Sequence, residues 1–187
     1  MTKKSPFLPM ALLLLSSCAS YLPFTNHLRN DFHLGVEDMR RVQFYVSDEF
    51  NLRRDTTAEN ARLSPGGVVR YDQGRLIEEI LVKRYTPCIA LRAVLNTDPP
   101  QYQIQVSFMP GDNADLITFG VKDDQQADSD SPFLLLAPMW DGPQAKIQYD
   151  NKVWNLDLRK HPQLVVRKDA FYKLKKIIRV LPGRVIN

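Results

Sequence analysis

The chain has 187 residues, 44% of them hydrophobic and 25% charged, with 25 basic against 21 acidic side chains and a formal net charge of +4. That hydrophobic content suits a folded body rather than a disordered one, and the near-even charge balance excludes a nucleic-acid binder driven by electrostatics. The length suits one domain, which at this size buries about 68–70% of the surface its unfolded chain would expose.

The N-terminus carries the most specific signal. Lys3 and Lys4 precede an apolar run over residues 7–15, and Ser16-Ser17-Cys18 follows it. A positive start, a short apolar run and a small-residue cleavage site make a secretory signal, and the run is too short to span a bilayer as a helix. With Leu15-Ser16-Ser17-Cys18 closing it, the segment resembles the lipobox (type II) signal of bacterial lipoproteins. The resemblance is confined to residues 1–20. It implies cleavage between Ser17 and Cys18, lipidation of Cys18 by several acyl chains such as palmitate, and a membrane-resident protein without a transmembrane helix. A single acyl chain holds a protein only marginally, at about 0.8 kcal/mol per buried methylene, whereas two or more hold it stably. In such lipoproteins of enteric bacteria an Asp after the Cys tends to retain the protein in the inner membrane. Ala19-Ser20 stand here, so the implied address is the outer membrane. The lack of an acidic cluster directly after Cys18 implies the periplasmic face. Cleavage removes two lysines and leaves a mature net charge of +2. No later segment approaches the roughly 18 consecutive apolar residues that a membrane span needs.

Three regions are therefore expected: a signal peptide over 1–17, a lipidated tether over 18–35, and a single β-rich domain over 36–187. The tether is polar, mixed and without period, ending in a turn around 36–39. The period then changes to two. Val42, Phe44 and Val46 alternate with Gln43, Tyr45 and Ser47, the mark of a half-buried strand. Over 101–108 the sorting is sharper, with Tyr102, Ile104, Val106 and Phe108 on one face and Gln101, Gln103, Gln105 and Ser107 on the other. Turn chemistry separates such runs at Ser64-Pro65-Gly66-Gly67, Asp72-Gln73-Gly74, residues 96–100 and 110–113, and Asp141-Gly142-Pro143. Asp150-Asn151 suits a two-residue hairpin loop, which sets Tyr149 opposite Lys152 and Ile147 opposite Trp154 and puts Ile147, Tyr149, Trp154 and Leu156 on one face. Strand candidates at intervals of roughly 8–12 residues predict an all-β fold, a mainly antiparallel β-sandwich or barrel of about 8–10 strands. Only 169–179 has helical spacing, through Phe171, Leu174, Ile177 and Ile178 with Asp169 as N-cap, leading into a last strand over 178–181.

The search for chemistry returns little. With Cys18 acylated, Cys88 stands alone, no intramolecular disulfide forms, and a small buried hydrophobe is the reading of that residue. His27, His33 and His161 have no second His or Cys at a ligand spacing, so no metal or other cofactor is expected. Ser64-Pro65-Gly66-Gly67 lacks the Gly-x-Ser-x-Gly elbow of a nucleophile. Glu78 and Glu79 are neighbours in a predicted strand and point to opposite faces, so they cannot act together on one bond. Asp128-Ser129-Asp130 matches the start of a calcium loop but lacks the turn Gly and closing Glu, which leaves a solvated loop, with a weak Ca²⁺ site as the alternative.

Charge is unevenly placed. Residues 110–141 hold seven acidic side chains and one base, and residues 161–187 hold seven bases and one acid. Solvated faces that balance each other are the default for such blocks. The sharper reading makes Arg167, Lys168, Lys173, Lys175, Lys176 and Arg179 contacts to an anionic partner such as lipid headgroups, an acidic glycan or an acidic protein. Taken together, a lipid anchor on a β body predicts a non-enzymatic structural or binding subunit of an envelope assembly, touching the membrane through its lipid and other envelope proteins through its sheets and loops. The alternatives are an envelope hydrolase using carboxylates from separate loops, and a small-ligand carrier lined by Tyr102, Phe108, Trp140 and Trp154.

Overall fold

A computed structural model describes residues 20–57, 66–97, 100–110, 115–121, 130–158 and 160–174. The all-β expectation holds: two antiparallel sheets share one hydrophobic core, one sheet curling as a half-barrel, and a short helix packs near the C-terminus. The first sheet contains β1 (Tyr21–Pro23), β2 (Gln43–Val46), β6 (Pro87–Thr97), β7 (Pro100–Ser107), β8 (Ile117–Gly120), β9 (Leu134–Leu135) and β13 (Leu164–Arg167), in the order β1-β13-β2-β6-β7-β8-β9. The second contains β3 (Phe50–Thr56), β4 (Gly67–Asp72), β5 (Arg75–Val82), β10 (Met139–Asp141), β11 (Gln144–Tyr149) and β12 (Lys152–Leu156), in the order β10-β11-β12-β3-β5-β4. The described strands number thirteen because β1, β9 and β10 are only two or three residues long, too short to show alternation in sequence.

Alternation decides which side chains meet. In β7, Ile104 and Val106 are fully buried while Gln103 and Gln105 keep part of their surface in solvent. Along β2, Phe44 and Val46 face the core and Tyr45 the other side. The β11–β12 hairpin has the anticipated register, Tyr149↔Lys152 and Ile147↔Trp154, and Ile147, Tyr149, Trp154 and Leu156 are all buried. Its loop residues Asp150 and Asn151 have φ of 51° and 55°, the twin left-handed conformations of a type I′ turn, which Asp and Asn tolerate better than most residues. A bulge between Ala90 and Arg92 bends β6 against β7. At Gly120 in β8, a Cβ would stand 2.9 Å from the Tyr102 carbonyl oxygen and 2.7 Å from a Leu136 methyl, so close approach of the backbone requires glycine there.

Three expectations need correction. The irregular tether does not extend to residue 35, because from Ser20 onward the chain is part of the body. β1 pairs with β13 through Tyr21↔Arg167, and Phe24 is fully buried with its ring centroid 5.0 Å from that of Phe44. α1 (Asn26–Asp31) is capped by the Thr25 hydroxyl, which accepts from the Leu28 N–H at 3.1 Å, and delivers Phe32 into the core against Phe171 at 4.5 Å. The expected turn at 36–39 is the short helix α2 (Val36–Met39), which buries Met39. The C-terminal helix α3 (Lys168–Leu174) starts one residue early, so Asp169 sits in its first turn instead of capping it. There Asp169 accepts from Arg167 Nε at 3.1 Å and Nη2 at 2.8 Å, a bidentate pair that competes with the capping role. The remainder of that helix and the strand expected over 178–181 lie outside the described residues.

Candidate functional site: a polar groove beside a buried charge cluster

Opposite faces of β3 and β5 carry two separate sets of charge. Their register sets Arg53 opposite Glu79 and Arg54 opposite Glu78, so each guanidinium faces a carboxylate on its own side of the sheet. On the outer face Arg53 Nη2 lies 3.5 Å from Asp72 and its Nε 3.7 Å from Glu79, while Arg70 Nε lies 3.1 Å from the other Glu79 oxygen. Arg75 pairs with Asp55 at 3.5 Å. On the inner face Glu78 is fully buried. Arg54 donates to it from Nε at 2.7 Å and pairs with it again through Nη2, and Lys152 Nζ lies 3.8 Å away. Lys152 also reaches Asp150 at 3.4 Å, which ties the hairpin loop to the cluster. The Arg54 guanidinium stands 5.3 Å from the centre of the Trp154 ring, and Trp154 Nε1 donates to the Tyr149 carbonyl at 2.8 Å. A carboxylate with no exposed surface is stable only when cations and donors replace its water, and this cluster supplies them.

Sharing Arg54 with the cluster is a groove of about 800 Å³ whose walls also include Arg53, Asp55, Asp72, Trp140, Asn155 and Asp157. It opens where β12 and β3 meet through only two residue pairs, Asn155↔Arg53 and Leu156↔Leu52. Trp140 is 62% exposed because β10 is the edge of its sheet and Trp140 stands beyond the core that covers its partner Ala145. Asp141 next to it is held below its ordinary carboxylate pKa by the Lys146 ammonium, 2.6 Å away. The groove thus offers an exposed indole face, guanidinium edges and amide and carboxylate oxygens. Its carboxylates Asp55 and Asp72 are each engaged by a guanidinium, an arrangement suited to holding a polar partner.

The sequence-derived candidates are dispersed. Ser17, Cys18, Lys175, Lys176 and Arg179, and the Asp128-Ser129-Asp130 motif apart from Asp130, lie outside the described residues. Arg167 ends β13 and is engaged by Asp169, which raises the Arg167 pKa and lowers that of Asp169. Lys168 and Lys173 are exposed at the two ends of α3. Glu78 and Glu79 do point to opposite faces. Cys88 is buried, and burial pushes its thiol up to about 12. His27 pairs with Asp31 on the surface of α1 at 3.4 Å, and His33 follows that helix with φ of 52°. The aromatics weighed as a ligand lining do not share one cavity: Trp154 is fully buried in the core, whereas Trp140 stands in the groove. Among the described residues no group of three or more His, Cys, Asp or Glu is placed to hold a metal, and no helix is long and apolar enough to cross a membrane. Sequence reasoning missed Arg53 and Arg54, and it grouped Trp140 with aromatics that do not share its groove. The only local signal was the pair of like-charged doublets, Arg53-Arg54 and Glu78-Glu79, each of which must divide between two faces of a strand.

The chain matches no known family model, no curated protein and no solved structure.

Proposed function

We propose that this protein is a lipoprotein held by acyl chains on Cys18 to the periplasmic face of the outer membrane, and that its β body serves as a structural or binding subunit of an envelope assembly. The anchor reading rests on Leu15-Ser16-Ser17-Cys18 behind a basic, apolar signal, and the address on Ala19-Ser20. The observation that carries the binding reading is the groove at Trp140, where an exposed aromatic stands beside carboxylates engaged by arginine. Such a site favours recognition over general acid–base work, which needs a carboxylate or imidazole within reach of the reacting proton. The exposed indole would anchor a partner segment, and Arg53 and Asp72 would set its register by charge.

Two measurements test the reading. Cells fed labelled palmitate should yield a labelled chain that sediments with membranes, and Cys18→Ser should abolish both the label and the sedimentation. A photo-crosslinking residue in place of Trp140 should capture a discrete envelope protein in intact cells, and Arg53→Glu should reduce that capture about tenfold. A Cys18→Ser chain that still sediments removes the anchor. A chain with no crosslink at position 140 that also runs as a free monomer after mild detergent extraction removes the assembly role.

A further inference from the structure

Ser20 follows by two positions the cysteine that would carry the lipid. Cys18 precedes the first residue of β1 by three positions, so an extended chain spans at most about 11 Å between them. Ser20 is already tied to the body, since the Lys168 N–H donates to its carbonyl at 2.9 Å. A protein on so short a leash cannot turn freely. The surface around Tyr21 has to face the bilayer that holds the acyl chains.

That surface has a distinctive composition. Tyr21 stacks on Tyr85 with ring centroids 4.0 Å apart and planes 6° from parallel, and Tyr45 meets Tyr21 edge-on at 5.2 Å. The Arg84 guanidinium lies 4.6 Å from the centre of the Tyr85 ring. Tyr85 is held at φ of 60°, a conformation that a bulky side chain adopts at a cost, and its N–H donates to the Val46 carbonyl at 2.8 Å. The turn between β5 and β6 is therefore built to set an aromatic ring against β1. Arg84 and Lys83 are exposed in the same turn as Tyr85, and Lys168 is exposed where its N–H meets Ser20 next to Tyr21. Tyrosine bodies with polar tips, ringed by lysine and arginine, are what the headgroup region of a membrane accommodates.

We propose that Tyr21, Tyr45, Tyr85, Lys83, Arg84 and Lys168 form the membrane-seated face of the protein, resting on anionic phospholipid headgroups of the leaflet that carries Cys18. This inference rests on the lipid anchor and adds an orientation to it. The β4–β5 turn stands at the other end of β5, about 25 Å from Lys83. Asp72, Gln73 and Asp55 line the groove at that end, so a body seated on Lys83 and Tyr85 presents its groove away from the membrane.

The test uses the full lipidated chain in vesicles containing a third anionic phospholipid and a headgroup-linked quencher. A dye on Lys83→Cys should be quenched strongly, whereas the same dye on Arg75→Cys should not. Buried Cys88 stays unlabelled in the folded chain. The unlipidated Cys18→Ser chain should bind anionic vesicles weakly and zwitterionic vesicles about tenfold less. Combining Lys83→Glu, Arg84→Glu and Lys168→Glu should weaken anionic-vesicle binding about fivefold or more for each reversed charge. Equal quenching at positions 83 and 75 on a vesicle-bound lipidated chain overturns the face and leaves the anchor intact. Position 83 unquenched in vesicles but crosslinked to a protein in intact envelopes assigns the face to a protein partner and overturns the proposal. Loss of palmitate label and of flotation instead sinks the anchor, and the unlipidated chain then tests the face by itself: equal binding to both kinds of vesicle rejects it.

Discussion

Glu78 and Glu79 are consecutive residues of one strand, each facing an arginine of the next strand, yet they inhabit different solvents. Glu78 has no exposed surface and shares its charge with Arg54 and Lys152 above the Trp154 ring. Glu79 retains 19% of its side-chain surface and meets Arg53 and Arg70, themselves 40% and 49% exposed. The arginine–glutamate pairing and the two strands are the same; the face differs. An ion pair near water contributes about 0–1 kcal/mol, because the solvent does most of what the partner does. A buried pair contributes little net stability when whole, but removing one member strands the other in a medium that cannot solvate it. The inner set therefore fixes how β3, β5 and β12 assemble, and the outer set can be spent on a ligand.

The largest effect is expected from Glu78→Ala. It leaves Arg54 and Lys152 without their shared carboxylate and should cost about 3–5 kcal/mol, a fall in Tm on the order of 10 °C for a chain of this size. Thermal denaturation of the unlipidated chain measures it, and a loss under about 1 kcal/mol would erase the distinction between the two faces. The comparison sharpens with a triple variant. Arg54→Met, Glu78→Leu and Lys152→Met together should recover most of that loss, since apolar groups of similar volume need no solvation. A triple variant as unstable as Glu78→Ala would mean that the cluster contributes geometry that packing cannot replace.

Glu79→Ala should cost less than about 1 kcal/mol, and the difference from wild type should shrink further in 1 M salt, where the screening length falls to about 3 Å. The same substitution frees Arg53, which lines the groove, from one of its two carboxylates, so capture at Trp140 should improve even as stability dips. If Glu79→Ala destabilised as much as Glu78→Ala, the outer network would be part of the scaffold and not available for recognition.

What could be read from sequence follows the same division between local and non-local causes. Asp150-Asn151 announces its hairpin because two residues tolerant of positive φ fix the register of everything beside them. Gln103 and Gln105 against Ile104 and Val106 announce a strand because a period of two has no helical equivalent. The Glu78–Glu79 split follows from the same period. Phe24 and Phe32 were hidden, since β1 is three residues long and α1 six, and neither length supports a pattern. The groove was hidden for a different reason. Arg53, Asp72 and Trp140 come together only through the order β10-β11-β12-β3-β5-β4, in which strands far apart in sequence become neighbours. Tyr85 carries no signal in the sequence, and its left-handed backbone is seen only where its N–H meets the Val46 carbonyl of β2.

The smallest expected effect probes burial at a group with no ionic partner to confuse it. Cys88 faces the core from β6, and burial pushes its thiol up to about 12, against about 8.5 for an exposed cysteine. The folded state keeps the proton more tightly than the unfolded state does. The thiol's contribution to stability is accordingly whole below pH about 8.5 and erodes as pH rises from there toward about 12, where only the unfolded chain has ionised. At pH 8 the folded chain should resist alkylation while unfolding in denaturant makes Cys88 react at the rate of a free thiol. Cys88→Ala should flatten the alkaline limb of the stability curve and leave the neutral region lowered only by the lost packing. Rapid alkylation of the folded chain at pH 8 would mean that the core opens along β6, and the contrast between the faces of Glu78 and Glu79 would then have to be sought in local opening of the sheet.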